Sequence, residues 1–212
     1  MSLTVIPEEK DKIFSKEDYN SGDGMVTSIW GPPLWFSLHI MSFNYPVNPT
    51  EEQIESYRKY FDSLRGVLPC KYCRENYSKN LELDEFKLSD SVLENRESFS
   101  RWLYNLHNKI NRDLGKENYK TYEEVREIYE NFRARCLSEK EEEKDDGKEK
   151  GCVKPLYGKK SKCTLRIVPR DNKTGTSLVV EEECLIKKTK ILNGGGLKLN
   201  IDNIFLDIFN NL

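Results

Sequence analysis

The chain has 212 residues, 33% of them charged, with a formal net charge of -2 and a mean hydropathy of -0.73. That length suits one full domain plus a smaller one, and the near-neutral balance carries no basic footprint, so no nucleic-acid partner is expected. The opening Met1-Ser2-Leu3-Thr4-Val5-Ile6-Pro7-Glu8-Glu9-Lys10 is too acidic and too poor in apolar residues for a signal peptide, and no later run reaches membrane-spanning length. A cytoplasmic protein with no membrane partner is therefore expected.

Residues 1–27 carry no sustained period, and Asn20-Ser21-Gly22-Asp23-Gly24 reads as a loop. Proline suits the first helical turn, so a first helix is expected to begin near Pro32 or Pro33 and to run to about 43, with Leu34, Trp35, Leu38 and Met41 in one stripe. Thr50 with Gln53 is a capping box that opens a second helix to about 67, with Ile54, Tyr57, Phe61 and Leu64 facing inward. Pro69 closes it and starts a third, with Cys70 at its N-terminus, running through Tyr77 to 81. A fourth spans roughly 97–114 and stops at Gly115. Thr121 with Glu124 opens a fifth to about 136, lined by Val125, Ile128, Tyr129 and Phe132.

The run 138–150 holds seven acids, four lysines and no apolar residue, so it cannot pack, and 137–151 reads as a charged linker. Beyond it, 163–168 and 177–187 are rich in β-branched residues around the turn chemistry of Asp171-Asn172-Lys173-Thr174-Gly175. Asn193-Gly194-Gly195-Gly196 offers a second turn before the alternating Leu197, Leu199 and Ile201. Together these predict a small β-rich appendage over 152–212. A hairpin at 171–175 would set Cys163 opposite Cys184.

The chemistry centres on Pro69-Cys70-Lys71-Tyr72-Cys73. A C-x-x-C pair serves as a redox disulfide, as half of a zinc site or as two buried thiols. A thioredoxin-like setting requires a preceding buried strand, whereas the residues before Cys70 follow a helical period. Zinc requires two further ligands, and His39 and His107, the only two histidines, lack finger-like spacing. A lone histidine on an amphipathic helix is more often a hydrogen-bonded core residue than a ligand. Two flanks are more specific: Trp30-Gly31-Pro32-Pro33-Leu34-Trp35-Phe36-Ser37-Leu38-His39, and the helix-length run from Arg101 to Lys116, in which His107 and Asn111 share a face with Asn108 beside them. No G-x-G-x-x-G occurs, so no Rossmann domain is implied.

In order and spacing these three segments resemble the Erv/ALR family of FAD-dependent sulfhydryl oxidases. The helical domain of that family carries a W-x-x-L-H segment, a P-C-x-x-C disulfide and a W-L-x-x-L-H-N-x-x-N-x-x-L-G-K helix. The resemblance covers roughly 28–135. It implies a mainly α fold, a bundle of four helices plus a short fifth enclosing FAD over 28–136, preceded by an extension over 1–27. It implies that Cys70 is the outer cysteine, exchanging with substrate, and that Cys73 is the inner one, facing the flavin. The implied FAD-binding residues are Gly31, Trp35, His39, Trp102, His107, Asn108, Asn111, Lys116 and Tyr119, with the two tryptophans stacking on its rings. The implied reaction oxidises a dithiol protein, such as a thioredoxin-like carrier, with molecular oxygen as acceptor and hydrogen peroxide as product. A homodimer through the first two helices is implied as well. The alternative is a catalytically silent or zinc-binding interaction module on the same fold.

Six cysteines without a signal peptide ordinarily read as reduced, metal-binding or catalytic, a tension that an oxidase removes by making its own disulfide. The chain departs from cellular members of the family in two ways. A structural disulfide of theirs is replaced by Tyr104 and, near the partner position, Lys120 and Thr121, which puts helix stability at issue. No second C-x-x-C or C-x-C is present as a shuttle. Such shortened forms resemble the oxidases of large cytoplasmic DNA viruses, which implies the host cytoplasm or the virion. Cys136, Cys152, Cys163 and Cys184 are either inert thiols or a shuttle disulfide.

Overall fold

The computed structural model describes residues 14–116, 120–136, 151–172 and 180–185. Among these, six α-helices run in order: α1 (Lys16–Asn20), α2 (Thr27–Asn44), α3 (Glu51–Val67), α4 (Lys71–Glu82), α5 (Arg96–Asp113) and α6 (Tyr122–Glu130). A two-stranded antiparallel sheet follows, pairing β1 (Ala134–Arg135) with β2 (Lys154–Pro155). Among the described residues no helix is long and apolar enough to cross a membrane.

Four helices start on reciprocal caps: Ser15 with Asp18, Thr50 with Gln53, Asn95 with Ser98 and Thr121 with Glu124. Each cap side chain accepts the N–H three residues on, and that residue's side chain returns to the cap's own N–H, so two otherwise unpaired donors are satisfied. The first of these makes α1, a single short helix inside the stretch that shows no period. α2 also differs from expectation, starting at Thr27 and holding Pro32 and Pro33 inside it. The missing proline donors free the carbonyls of Ser28 and Ile29, and both residues are exposed, so water can serve those groups. The indole N–H of Trp30 donates to the Met25 carbonyl at 3.0 Å and fixes this early start.

The main core joins α2, α3, α4 and α5 around Phe61, Phe99 and Trp102, with Leu38, Leu64, Leu103 and Leu106. A smaller cluster joins α2 to α6 through Phe43, Tyr122, Val125 and Tyr129, with Phe36 and Ile40 packed against it. α2 therefore buries two faces, one in each cluster. The Tyr104 hydroxyl donates to the Lys120 carbonyl at 2.8 Å and ties α5 to the start of α6.

α6 ends at Glu130, short of the expected 136. Arg133 donates to the Phe43 carbonyl at 2.6 Å, turning the chain back toward α2 and into β1. Cys136 is disulfide-bonded to Cys152, and Cys163 and Cys184 are free thiols. The sheet beyond the helices lies at β1 and β2, whereas 163–168 forms no strand and Glu182–Cys184 is a 3-10 turn. Leu165 and Ile167 stay exposed, so β-branched composition found no surface to pleat against, and propensity alone did not make a strand. The expected hairpin is thus not formed over its described part. Residues 173–179, the 193–196 turn and most of the linker lie outside the described residues.

Candidate active site

Pro69 ends the α3–α4 corner, and Cys70 adopts extended backbone (φ -159, ψ 126) as the N-cap of α4. Its sulfur accepts the Cys73 N–H at 3.2 Å, and the two cysteines are disulfide-bonded with Cα atoms 5.1 Å apart. Both are half-buried, Cys73 packing on the main core, while Lys71 and Tyr72 beside them are exposed.

A strap from the segment before α2 crosses this corner. The Met25 N–H donates to the Pro69 carbonyl at 2.8 Å, and the Lys71 N–H donates to the Asp23 carbonyl at 3.2 Å. Gly24 pairs with Cys70 between them, at a φ of 121. A Cβ there would lie 2.5 Å from the Pro69 oxygen and 2.8 Å from the Cys70 Cα, so only glycine fits. In the sequence this stretch signals no more than a loop, because a long-range strand pairing of one residue leaves no period.

The second half of the site lies where α2 meets α5. His39 Nε2 and His107 Nδ1 are 3.0 Å apart, one donating and the other accepting. Trp35 stacks on the His107 ring with centroids 3.9 Å apart and planes 4° from parallel. The Tyr129 ring lies against His39 at 5.2 Å. Burial favours the neutral form of both imidazoles, lowering His39 to about 3 and His107 well below its usual value, and a charge on His39 or on Lys116 would lower His107 further. Burial lowers Lys116 too. Its backbone N–H donates to the Asn111 carbonyl at 2.9 Å, which turns the chain end of α5 toward this face.

Four buried atoms here have no hydrogen-bond partner among the described residues: His39 Nδ1, His107 Nε2, Asn111 Oδ1 and the Tyr129 hydroxyl. An unpaired buried polar group costs about 1–3 kcal/mol, and a cluster of four beside stacked rings fits a planar ligand with its own donors and acceptors. Asn108 is half-buried on α5, and Gly31 is half-buried on α2 with open space where a Cβ would stand.

Two expected residues stand apart from this group. Trp102 lies in the main core, stacked on Phe99 and edge-on to Phe61, with its N–H donated to the Phe86 carbonyl at 3.0 Å. Tyr119 lies outside the described residues. Tyr129 was legible only as one of the core residues of the fifth helix; its spacing with Val125 is that of any buried stripe, and the unpaired hydroxyl alone distinguishes it. Among the described residues no three His, Cys, Asp or Glu side chains stand together as metal ligands.

Fold and site together define a helical protein with a C-x-x-C disulfide at a helix start and a buried histidine pair whose outer ring nitrogens have no hydrogen-bond partner among the described residues. Residues 32–132 match the sequence model of the Erv1 / Alr family. A protein of Acanthamoeba polyphaga mimivirus, described as a probable FAD-linked sulfhydryl oxidase, is 41% identical over 101 residues, covering 48% of this chain and 68% of that protein. A putative FAD-linked sulfhydryl oxidase of Invertebrate iridescent virus 6 is 30% identical over 91 residues, covering 42% of this chain and 81% of that one. The crystal structure of the yeast Erv1 core aligns with a TM-score of 0.44 at 21% identity, over 57% of this chain and 94% of that one. The chain belongs to the Erv1 / Alr family.

Proposed function

We propose that this protein is an FAD-dependent thiol oxidase that forms disulfides in protein dithiols, with Cys70 and Cys73 as its catalytic residues. The observation that carries the reading is the Cys70–Cys73 disulfide capping α4, in a chain whose viral relatives are described as FAD-linked sulfhydryl oxidases.

A substrate thiolate attacks the Cys70 sulfur, the S–S bond breaks, and Cys73 leaves as a thiolate. A second substrate thiolate then attacks the mixed disulfide, releasing Cys70 and leaving the substrate oxidised. The first-turn N–H groups of α4, including the Cys73 N–H that points at the Cys70 sulfur, stabilise the negative charge that appears on each leaving sulfur. The packing of Cys73 on the core supports Cys70 as the outer, exchanging partner. FAD, when bound, supplies the two-electron acceptor that returns the pair to its disulfide. With oxygen as the terminal acceptor, two thiols and one O2 give one disulfide and one H2O2.

Gly31, Trp35, His39, His107, Asn108, Asn111 and Lys116 would hold the cofactor, Trp35 by stacking and the unpaired atoms of His39, His107 and Asn111 by hydrogen bonds. Lys116 would meet its phosphates. The resemblance adds Trp102 and Tyr119, and the Tyr129 hydroxyl is a further donor. The neutral imidazoles line the site without bringing a buried charge to it. The catalytic unit spans 28–136, after an extension over 1–27 and before the linker over 137–151 and the appendage over 152–212. The substrate is a dithiol protein such as a thioredoxin-like carrier, the working form is a homodimer through α2 and α3, and the setting is the host cytoplasm or the virion.

The purified full chain is expected to show a flavin absorption spectrum without stoichiometric zinc. Cys70→Ser and Cys73→Ser are each expected to abolish dithiol-dependent oxygen uptake while flavin stays bound. A colourless, zinc-loaded protein, or uptake that survives both substitutions, would refute the reading.

A further inference from the structure

Three of the four cysteines outside the C-x-x-C line one cavity, and the fourth is bonded to one of them. A cavity of about 560 Å³ lies between α2 and the appendage, with Phe36 and Ile40 on one side and Cys152, Cys163 and Cys184 also in its lining. Cys152 is bonded to Cys136, whereas Cys163 and Cys184 are free thiols, the first exposed and the second half-buried. Three separate chain segments supply these sulfurs.

The segment bearing Cys184 is held there by specific contacts. The Lys159 N–H donates to the Glu183 carbonyl at 2.7 Å, the Lys159 ammonium pairs with the Glu183 carboxylate, and Leu185 is buried. Gly158, at a φ of 65, lets the two segments pass so closely that any Cβ would collide with the Cys184 carbonyl. On the other side, the β1–β2 pairing sets the Cα atoms of Cys136 and Cys152 3.8 Å apart. One disulfide and two thiols therefore share a cavity.

We propose that Cys136, Cys152, Cys163 and Cys184 form a second thiol–disulfide exchange centre, in which the disulfide migrates from Cys136–Cys152 to Cys163–Cys184. In the first step the Cys163 thiolate attacks the Cys152 sulfur. The Cys152–Cys163 bond forms, the Cys136–Cys152 bond breaks, and Cys136 leaves as a thiolate and takes up the proton that Cys163 gave up. In the second step the Cys184 thiolate attacks the Cys163 sulfur. The Cys163–Cys184 bond forms, and Cys152 is released and protonated. One disulfide and two thiols are present before and after, so no external oxidant or reductant is consumed. The migration opens the covalent loop that Cys136–Cys152 closes around the linker. This centre goes beyond the proposed oxidase reaction and uses neither Cys70 nor Cys73.

The test equilibrates the full chain under argon in a series of reduced-to-oxidised glutathione ratios, followed by acid quench, alkylation and non-reducing peptide mapping. At intermediate ratios the Cys163–Cys184 linkage is expected beside Cys136–Cys152, and Cys184→Ser is expected to accumulate Cys152–Cys163. Finding Cys136–Cys152 as the sole linkage among the four at every ratio would overturn the proposal, and so would finding Cys163 joined only to glutathione or to a second chain. Dithiothreitol-dependent oxygen uptake by Cys184→Ser is expected to stay within about twofold of the parent protein, so that loss of exchange and loss of oxidase activity read out separately. A fall beyond about tenfold would overturn the independence of the two centres.

Discussion

Acidification should destabilise this protein through the His39–His107 pair. These are the only two histidines in the chain, so any histidine-linked change in stability between pH 7.5 and 5.5 belongs to them. In the folded state His39 is lowered to about 3 and His107 is held well below 6.5, chiefly by burial. The unfolded chain therefore binds more protons in this window. Stability is full above about 6.5 and is lost as the pH falls toward the folded-state values. At pH 5.5, one unit below the ordinary histidine value, the pair together should cost on the order of a few kcal/mol of stability. Against a typical domain stability of about 5–15 kcal/mol that is a large fraction. The pair's hydrogen bond adds a constraint in the same direction, since one ring nitrogen must stay an acceptor and a doubly protonated pair has none. The measurement is the urea midpoint of flavin-free protein at pH 7.5, 6.5 and 5.5 at constant ionic strength. The double variant His39→Gln, His107→Gln separates histidine from carboxylate titration, because its slope should be smaller than the parent's by the histidine share and any remaining slope belongs to carboxylates. A parent protein whose stability is flat across the window, or a double variant with the same slope as the parent, would refute the burial argument.

Gly24→Ala places a Cβ against Pro69 and Cys70 at a φ disfavoured for alanine, and should destabilise the strap by about 1–3 kcal/mol; limited proteolysis should then cut between 20 and 26, and an unchanged digestion pattern would sink the strap assignment. Tyr129→Phe removes a buried hydroxyl that has no partner, so the flavin-free protein should keep its stability or gain up to about 1 kcal/mol, while flavin affinity should fall by up to roughly tenfold. Equal destabilisation of the flavin-free and flavin-bound forms would count against a ligand contact at that hydroxyl.

What could be read in the sequence depended on how far each interaction reaches along the chain. Thr50 with Gln53 and Thr121 with Glu124 each signal a helix start within three residues, and α3 and α6 begin where those pairs stand. Ser15 with Asp18 is the same device, but its helix is too short to show a period, so α1 was not foreseen in a stretch without one. Contacts between distant residues leave no such trace. The Gly24–Cys70 pairing, the Arg133 bond to the Phe43 carbonyl and the His39–His107 bond each join segments far apart in the chain. The histidines were singled out by motif position, whereas their bond to each other was not foreseeable.

α2 shows how one physical cause both hid and made the site. Its residues pack into two clusters, Leu38 with Trp35 and Leu34 on the main core, and Phe43 with Phe36 and Ile40 against α6. A helix apolar on two faces shows a weak amphipathic period, which left proline as the apparent start signal and put the expected boundary too late. The same doubling puts His39 in ring contact with Trp35, with His107 of α5 and with Tyr129 of α6. A singly amphipathic α2 would have had only one face to bury, and could not have brought both α5 and α6 to one imidazole. The blurred pattern at positions 34–43 is thus the sequence trace of a helix that buries two faces along its length.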